Sequence, residues 1–222
     1  MTPATHELVI FDCDGVLVDS EPLACRILAG CFQAAGFPIS YETCVAEMVG
    51  LALPSCFKLA EELHGGTLPD DFFATVQTKT YQAFREELQP IPGIRAAIEA
   101  IPLPRCVASS SEQDKIALSL SQTGLAQLFG DKVYSAQQVA RGKPFPDLFL
   151  FAARQMGVGA KNCVVIEDSF YGARAARAAG MSVLGYAGSG FARQLADEGA
   201  QVFDSMTALP GLLGFEAEWH GA

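Results

Sequence analysis

The sequence has no apolar run of the about 18 residues that a membrane-crossing helix needs. Its opening residues, Met1 to Glu7, hold neither a basic n-region nor an apolar h-region, so no secretory leader is expected. Positive charge is scarce: 15 Lys and Arg stand against 25 Asp and Glu, for a net charge of −10. Nucleic acid is therefore not an expected partner, since its phosphates need a cationic face. His6, His64 and His220 show no ligand spacing. The 7 cysteines include no CxxC pair and lie in apolar segments, so they read as buried thiols of a reducing, cytoplasmic compartment rather than as a disulfide framework. Nucleotide loops are missing too. Gly142-Lys143 lacks the upstream glycine of a Walker A loop and is followed by Pro144, and Gly188-Ser189-Gly190 is too short for a dinucleotide fingerprint.

What is present is apolar material: half of the 222 residues are hydrophobic, enough for one large domain with a modest insert. A surface this acidic repels anionic substrates. An enzyme acting on phosphate would need a local cation, which makes a bound metal attractive.

Glu7–Phe11 is a short apolar run that reads as a buried parallel strand, ending at Asp12. Helical spacing follows over Glu21–Gly36, Tyr41–Met48, Pro54–His64 and Pro69–Leu88. Beyond Pro90-Ile91-Pro92-Gly93, strands at Arg105–Ala108, Lys132–Tyr134, Cys163–Ile166, Met181–Leu184 and Ala200–Phe203 alternate with helices at Asp114–Ser121, Pro146–Met156 and Tyr171–Ala179. This alternation predicts an α/β fold, a doubly wound parallel sheet of Rossmann type, interrupted after its first strand by a helical insert. The expected boundaries are 1–15 with 92–222 for the α/β core and 16–91 for the insert. Ligands of open α/β sheets bind at the carboxyl ends of the strands, so the insert is expected to act as a lid there.

The chemistry-bearing residues stand at those ends. Asp12-Cys13-Asp14-Gly15 closes the first strand, Ser109-Ser110-Ser111 the second, and Glu167-Asp168-Ser169 the CVVI strand; Gly142-Lys143 lies in a loop. Each alone is a common turn or helix cap. If these strands are parallel neighbours, four carboxylates (Asp12, Asp14, Glu167, Asp168), a lysine and a hydroxyl converge on one sheet edge. Carboxylates so close repel unless a proton or metal compensates, and an oxygen-only ligand set selects a hard cation, Mg²⁺ above all. With that charge masked, Asp12 can attack phosphorus as a nucleophile, Asp14 can serve as acid and then base, and Lys143 with Ser109 can hold the phosphoryl oxygens. Backbone amides after Ser109 add donors at Ser110.

These segments, FDCDGVLVDSE (Phe11–Glu21), VASSS (Val107–Ser111), GKPFPD (Gly142–Asp147) and VIEDSFYGARAARAAGM (Val165–Met181), resemble the haloacid dehalogenase-like hydrolase superfamily over nearly the whole chain. The insert resembles that family's small helical cap, a subclass shared by sugar-phosphate phosphatases and β-phosphoglucomutase. The resemblance implies that Asp12 is nucleophile and metal ligand, that Asp14 is acid/base and binds metal through its backbone carbonyl, and that Asp168 binds metal with Glu167 beside it. It carries substrate binding to Ser109, Ser110 and Lys143, and to Glu21 and Gly50 in the cap. Dehalogenase members lack the second aspartate, so Asp14 implies phosphoryl chemistry. A mutase would carry a histidine where Ala24 stands and an arginine where Leu53 stands. The expectation is thus an Mg²⁺-dependent phosphatase working through an aspartyl-phosphate. Its substrate is a small phosphorylated metabolite, a sugar phosphate or a sugar-acid phosphate such as 6-phosphogluconate. The alternatives are a phosphosugar mutase and a non-enzymatic phosphate- or metal-binding protein. No membrane partner is expected, and the chain is expected to be a monomer or weak homodimer.

Overall fold

A computed structural model describes residues 6–49, 51–188 and 190–215. The chain divides into two compact units, Met1–Val18 with Pro90–Ala222, and Asp19–Gln89. In chain order the elements are β1 (Leu8–Phe11), α1 (Glu21–Ala34), α2 (Tyr41–Glu47), α3 (Leu53–His64), α4 (Phe72–Glu87), α5 (Ile94–Ala100), β2 (Arg105–Ser109), α6 (Gln113–Gln122) and α7 (Ala126–Phe129). They continue with β3 (Val133–Ser135), α8 (Asp147–Gln155), β4 (Cys163–Glu167), α9 (Phe170–Ala178), β5 (Ser182–Tyr186), α10 (Ala192–Asp197), β6 (Gln201–Phe203) and α11 (Leu209–Leu212).

The six strands form one sheet in the order β3-β2-β1-β4-β5-β6, paired in parallel throughout. This is the doubly wound arrangement that the alternating pattern predicts, with the strand order reversing beside β1. The all-buried pattern of β1 and β4 follows from helices on both faces. Alternate residues Leu8, Ile10, Cys106, Ala108, Cys163 and Val165 pack on one face against Leu148, Phe149 and Ala152 of α8 and Ala173 and Ala176 of α9. Small residues on α9 let that helix lie close to the sheet. On the other face Phe11 meets Phe129 of α7 edge-on, with ring centroids 5.9 Å apart.

The helical unit has its own core. Phe32 stacks on Phe72 at 5.3 Å, and Phe57 meets Phe72 edge-on at 5.0 Å. Cys25, Cys44 and Cys56 are buried there as free thiols, with Leu28, Ile39 and Val76. Its two ends are tied together, for the Asp19 amide donates to the Gln89 carbonyl at 2.9 Å. In the sheet unit, Val18 bridges Pro90 in antiparallel fashion and Ile91 N donates to the Leu17 carbonyl at 3.0 Å.

Several boundaries differ from the sequence reading. The first helix stops at Ala34 rather than Gly36, because Gly36 takes a left-handed φ of +86° just past the end. β2 and β4 run one residue further than the apolar runs, so Ser109 and Glu167 are the last residues of strands rather than loop residues. Helices α5 and α10 are not anticipated. Residues 94–100 form a helix of 7 residues between proline-rich turns, and its brevity hides its period.

Candidate active site

The parallel register sets the first contacts. Phe11 pairs with Ile166, so the next residues, Asp12 and Glu167, stand side by side where the strand order reverses. Asp12 N donates to the Ile166 carbonyl at 3.0 Å, which fixes its backbone. Asp12, Glu167 and Asp168 are all buried, and one carboxylate oxygen from each lies within 4.8 Å of the others.

Lys143 answers this negative charge. Its Nζ donates to Asp12 Oδ1 and to Glu167 Oε1, both at 2.6 Å, with only 4% of its side chain exposed. Burial pushes the Asp12 carboxyl up to about 7 against the pull of Lys143, and Glu167 and Asp14 push in the same direction as burial. Burial also disfavours charge on Lys143, but Asp12 and Glu167 outweigh it and raise that pKa.

Glu167 is held from the other side by the start of α9. Its Oε2 accepts from Asp168 N at 3.0 Å and from the Ser169 amide and hydroxyl, each at 2.9 Å. A carboxylate at a helix N-terminus is favoured by the exposed amides and the helix dipole. Gly172 makes room, since a Cβ there would overlap the Glu167 carboxylate. Gly15 does the same for Asp168. Its φ is +76°, and a Cβ would overlap Asp168 Oδ2. Gly15→Ala is therefore expected to displace Asp168, besides costing about 1–3 kcal/mol of backbone strain. Any divalent cation that these carboxylates hold should bind roughly 10–100-fold more weakly, the range seen when a ligand's support is removed. A magnesium titration of the variant checks this.

Ser109, buried at the end of β2, accepts from Ser111 N at 3.1 Å, which leaves its hydroxyl hydrogen to donate. Ser110 is exposed in the turn that follows. Asp14 is half-buried, and its Oδ2 accepts from Ser111 Oγ at 2.6 Å and from Lys115 Nζ at 2.9 Å. The structure thus brings Asp12, Lys143, Glu167 and Asp168 into one cluster, with Ser109 at the end of the neighbouring β2 and Asp14 in the turn after β1. Glu21 opens α1 in the helical unit, and Gly50 and His220 lie outside the described residues. Sequence reasoning missed Lys115, which belongs to none of the strand-end motifs. It placed Ser111 in the Ser109-Ser110-Ser111 strand end but gave it no role of its own. The one available signal was a lysine in the first turn of a helix, where a cation is disfavoured.

The carboxylate group fits a hard divalent cation, because every donor is oxygen and the set lies at the sheet edge where α/β proteins bind ligands. Among the described residues no helix is long and apolar enough to cross a membrane.

Residues 6–180 match the haloacid dehalogenase-like hydrolases as a family. The 6-phosphogluconate phosphatase of Escherichia coli is 31% identical, over 93% of this chain and 94% of that protein. A phosphorylated carbohydrates phosphatase of Thermotoga maritima is 32% identical, over 79% of this chain and 82% of that protein. Among solved structures, a hydrolase of the same family from Deinococcus radiodurans, with bound phosphate and sodium, superposes with a TM-score of 0.83 at 30% identity, covering 96% of this chain and 98% of that one. The family match over residues 6–180 and the similarity along almost the full length agree, and the chain belongs to the haloacid dehalogenase-like hydrolases.

Proposed function

We propose that this chain, a phosphoric monoester hydrolase of that family, is a magnesium-dependent phosphatase of small phosphorylated metabolites, acting on a sugar phosphate or sugar-acid phosphate through an aspartyl-phosphate. The observation that carries the reading is Lys143 joining Asp12 to Glu167 at the sheet edge, next to Asp168 and Ser109. The phosphatases of E. coli and T. maritima support the substrate class.

In this mechanism an oxygen of Asp12 forms a bond to phosphorus as the bond from phosphorus to the leaving oxygen breaks. Asp14 gives its proton to that oxygen, so the alcohol leaves neutral. Ser109 and Lys143 hold the phosphoryl oxygens as charge shifts between them. In the second half, Asp14 takes a proton from water, the water oxygen bonds to phosphorus, and the Asp12–phosphorus link breaks to release phosphate. Asp12, Asp168 and the Asp14 carbonyl would hold the metal, and Glu167 serves beside them by fixing Lys143 and the start of α9. When bound, magnesium supplies the positive charge that lets a phosphate approach these carboxylates.

The seven buried thiols support a reducing, cytoplasmic setting. The acidic surface supports a chain without nucleic-acid or membrane partners. It is proposed to work as a monomer or weak homodimer.

Phosphate release from an aryl phosphate and from a panel of sugar phosphates is expected to stop on chelation and to return when magnesium is added. Incubation of a hexose 1-phosphate with its bisphosphate separates this reading from a mutase. Isomerisation without net phosphate release would overturn the phosphatase.

A further inference from the structure

Asp14 stands beyond the end of β1, in a turn, yet its carboxylate is tied to elements far along the chain. Ser111 Oγ and Lys115 Nζ converge on the same oxygen, Oδ2, at 2.6 and 2.9 Å. They also bond to each other, with Lys115 Nζ donating to Ser111 Oγ at 3.0 Å, so the three groups close a triangle. Ser111 cannot readily shift. Its amide donates to Ser109 Oγ at 3.1 Å, and its carbonyl accepts from Ser135 Oγ at 2.6 Å. Ser135 is fully buried at the end of β3, in register with Ser109. The position of Asp14 is thereby referred through Ser111 to β2 and β3.

Lys115 breaks a local rule. It occupies the first turn of α6, where the helix dipole opposes a cation, and keeps only 26% of its side chain exposed. Such departures from local preference mark functional positions more often than accidents. Lys115 is the third residue of α6, and its long side chain reaches back past the start of the helix to Ser111.

We infer that Lys115 and Ser111 are positioning residues which hold the Asp14 carboxylate for proton transfer to the leaving-group oxygen. This rests on the phosphatase reading with Asp14 as acid/base. The proton passes from Asp14 to the leaving oxygen; Lys115 and Ser111 keep their own protons and only orient the carboxylate.

The test compares p-nitrophenyl, phenyl and benzyl phosphate, which carry no second anion for a lysine to bind and differ mainly in how much protonation their leaving oxygen needs. The measured quantity is kcat/KM with magnesium, because it reports bond cleavage to the first leaving group and not the later hydrolysis of the aspartyl-phosphate. For Lys115→Ala and Ser111→Ala the loss should grow with leaving-group basicity, from a few-fold on p-nitrophenyl phosphate to on the order of 10² on benzyl phosphate, the scale of general acid catalysis. Lys115→Arg should recover part of it. A loss equal on all three substrates, or a rise in KM with kcat unchanged, would overturn the positioning role while leaving the phosphatase standing. If Lys115→Ala does not fold, Ser111→Ala gives the same reading. A wild-type enzyme without magnesium-dependent turnover of any of the three would instead remove the phosphatase reading itself, and this inference with it.

Discussion

Asp12→Asn is expected to lower kcat on the order of 10⁴-fold or more, the scale on which loss of a covalent nucleophile acts, with the fold intact. The amide oxygen is a poor nucleophile, so no bond to phosphorus forms. The structure gives a specific reason to expect a stable variant. Burial already pushes the Asp12 carboxyl up to about 7, so a neutral side chain of the same shape removes a charge that the interior disfavours. Asparagine keeps an oxygen that can accept from Lys143, which retains Glu167 as its ion-pair partner. Phosphate release and a thermal melt, measured on one preparation, check both halves. A folded Asp12→Asn enzyme that kept even a hundredth of its turnover would falsify the assignment of the nucleophile.

Lys143→Ala should be damaging in a different way, to stability as well as to rate. Lys143 is the buried cation between two buried carboxylates, with 4% of its own side chain exposed, against 11% for Asp12 and 0% for Glu167. Removing one partner from a buried ion pair leaves an uncompensated charge and costs about 3–5 kcal/mol. For a chain of this size each kcal/mol moves the melting temperature by roughly 2–4 °C, so a fall of roughly 6–20 °C is expected. Magnesium should restore part of that loss, since a ligand that binds only the folded state stabilises it. Activity should fall too, because the donor proposed for the phosphoryl oxygens goes with the side chain. An unchanged melting curve would mean that the interior tolerates the two carboxylates by other means, and the charge balance described for the site would have to be abandoned.

The sheet and the ends of its strands are legible in the sequence for a physical reason. A parallel strand buried on both faces must be a short unbroken apolar run, and the first polar residue after it marks the carboxyl edge. Asp12 after LVIF and Glu167 after CVVI are found that way, with Asp168 next in the chain. Ser109 is also found, although it and Glu167 prove to be the last residues of their strands. Lys143 is legible only in company, since its loop carries no periodicity. Lys115 is not legible. It contributes one charge to an amphipathic helix whose pattern reads as ordinary, and its partner Asp14 lies 101 residues away in the chain. Gly172 escapes notice likewise, because an alanine-rich helix gives no hint that one of its small residues faces a carboxylate. Helix α5 is lost to its own shortness. Features set by local pattern can be read from sequence; features set by tertiary neighbours cannot.

The hydrogen bond from Asp19 to Gln89, with the bridge between Val18 and Pro90 one step further along, places the departure and return of the chain side by side. A segment of 19–89 that leaves and rejoins its host through adjacent residues behaves as a module. It can lengthen, shrink or be exchanged for another by recombination without altering the spacing between β1 and β2, and so without re-registering the sheet. The sheet edge that carries Asp12, Glu167 and Asp168 can in this way stay unchanged whatever is inserted between residues 19 and 89.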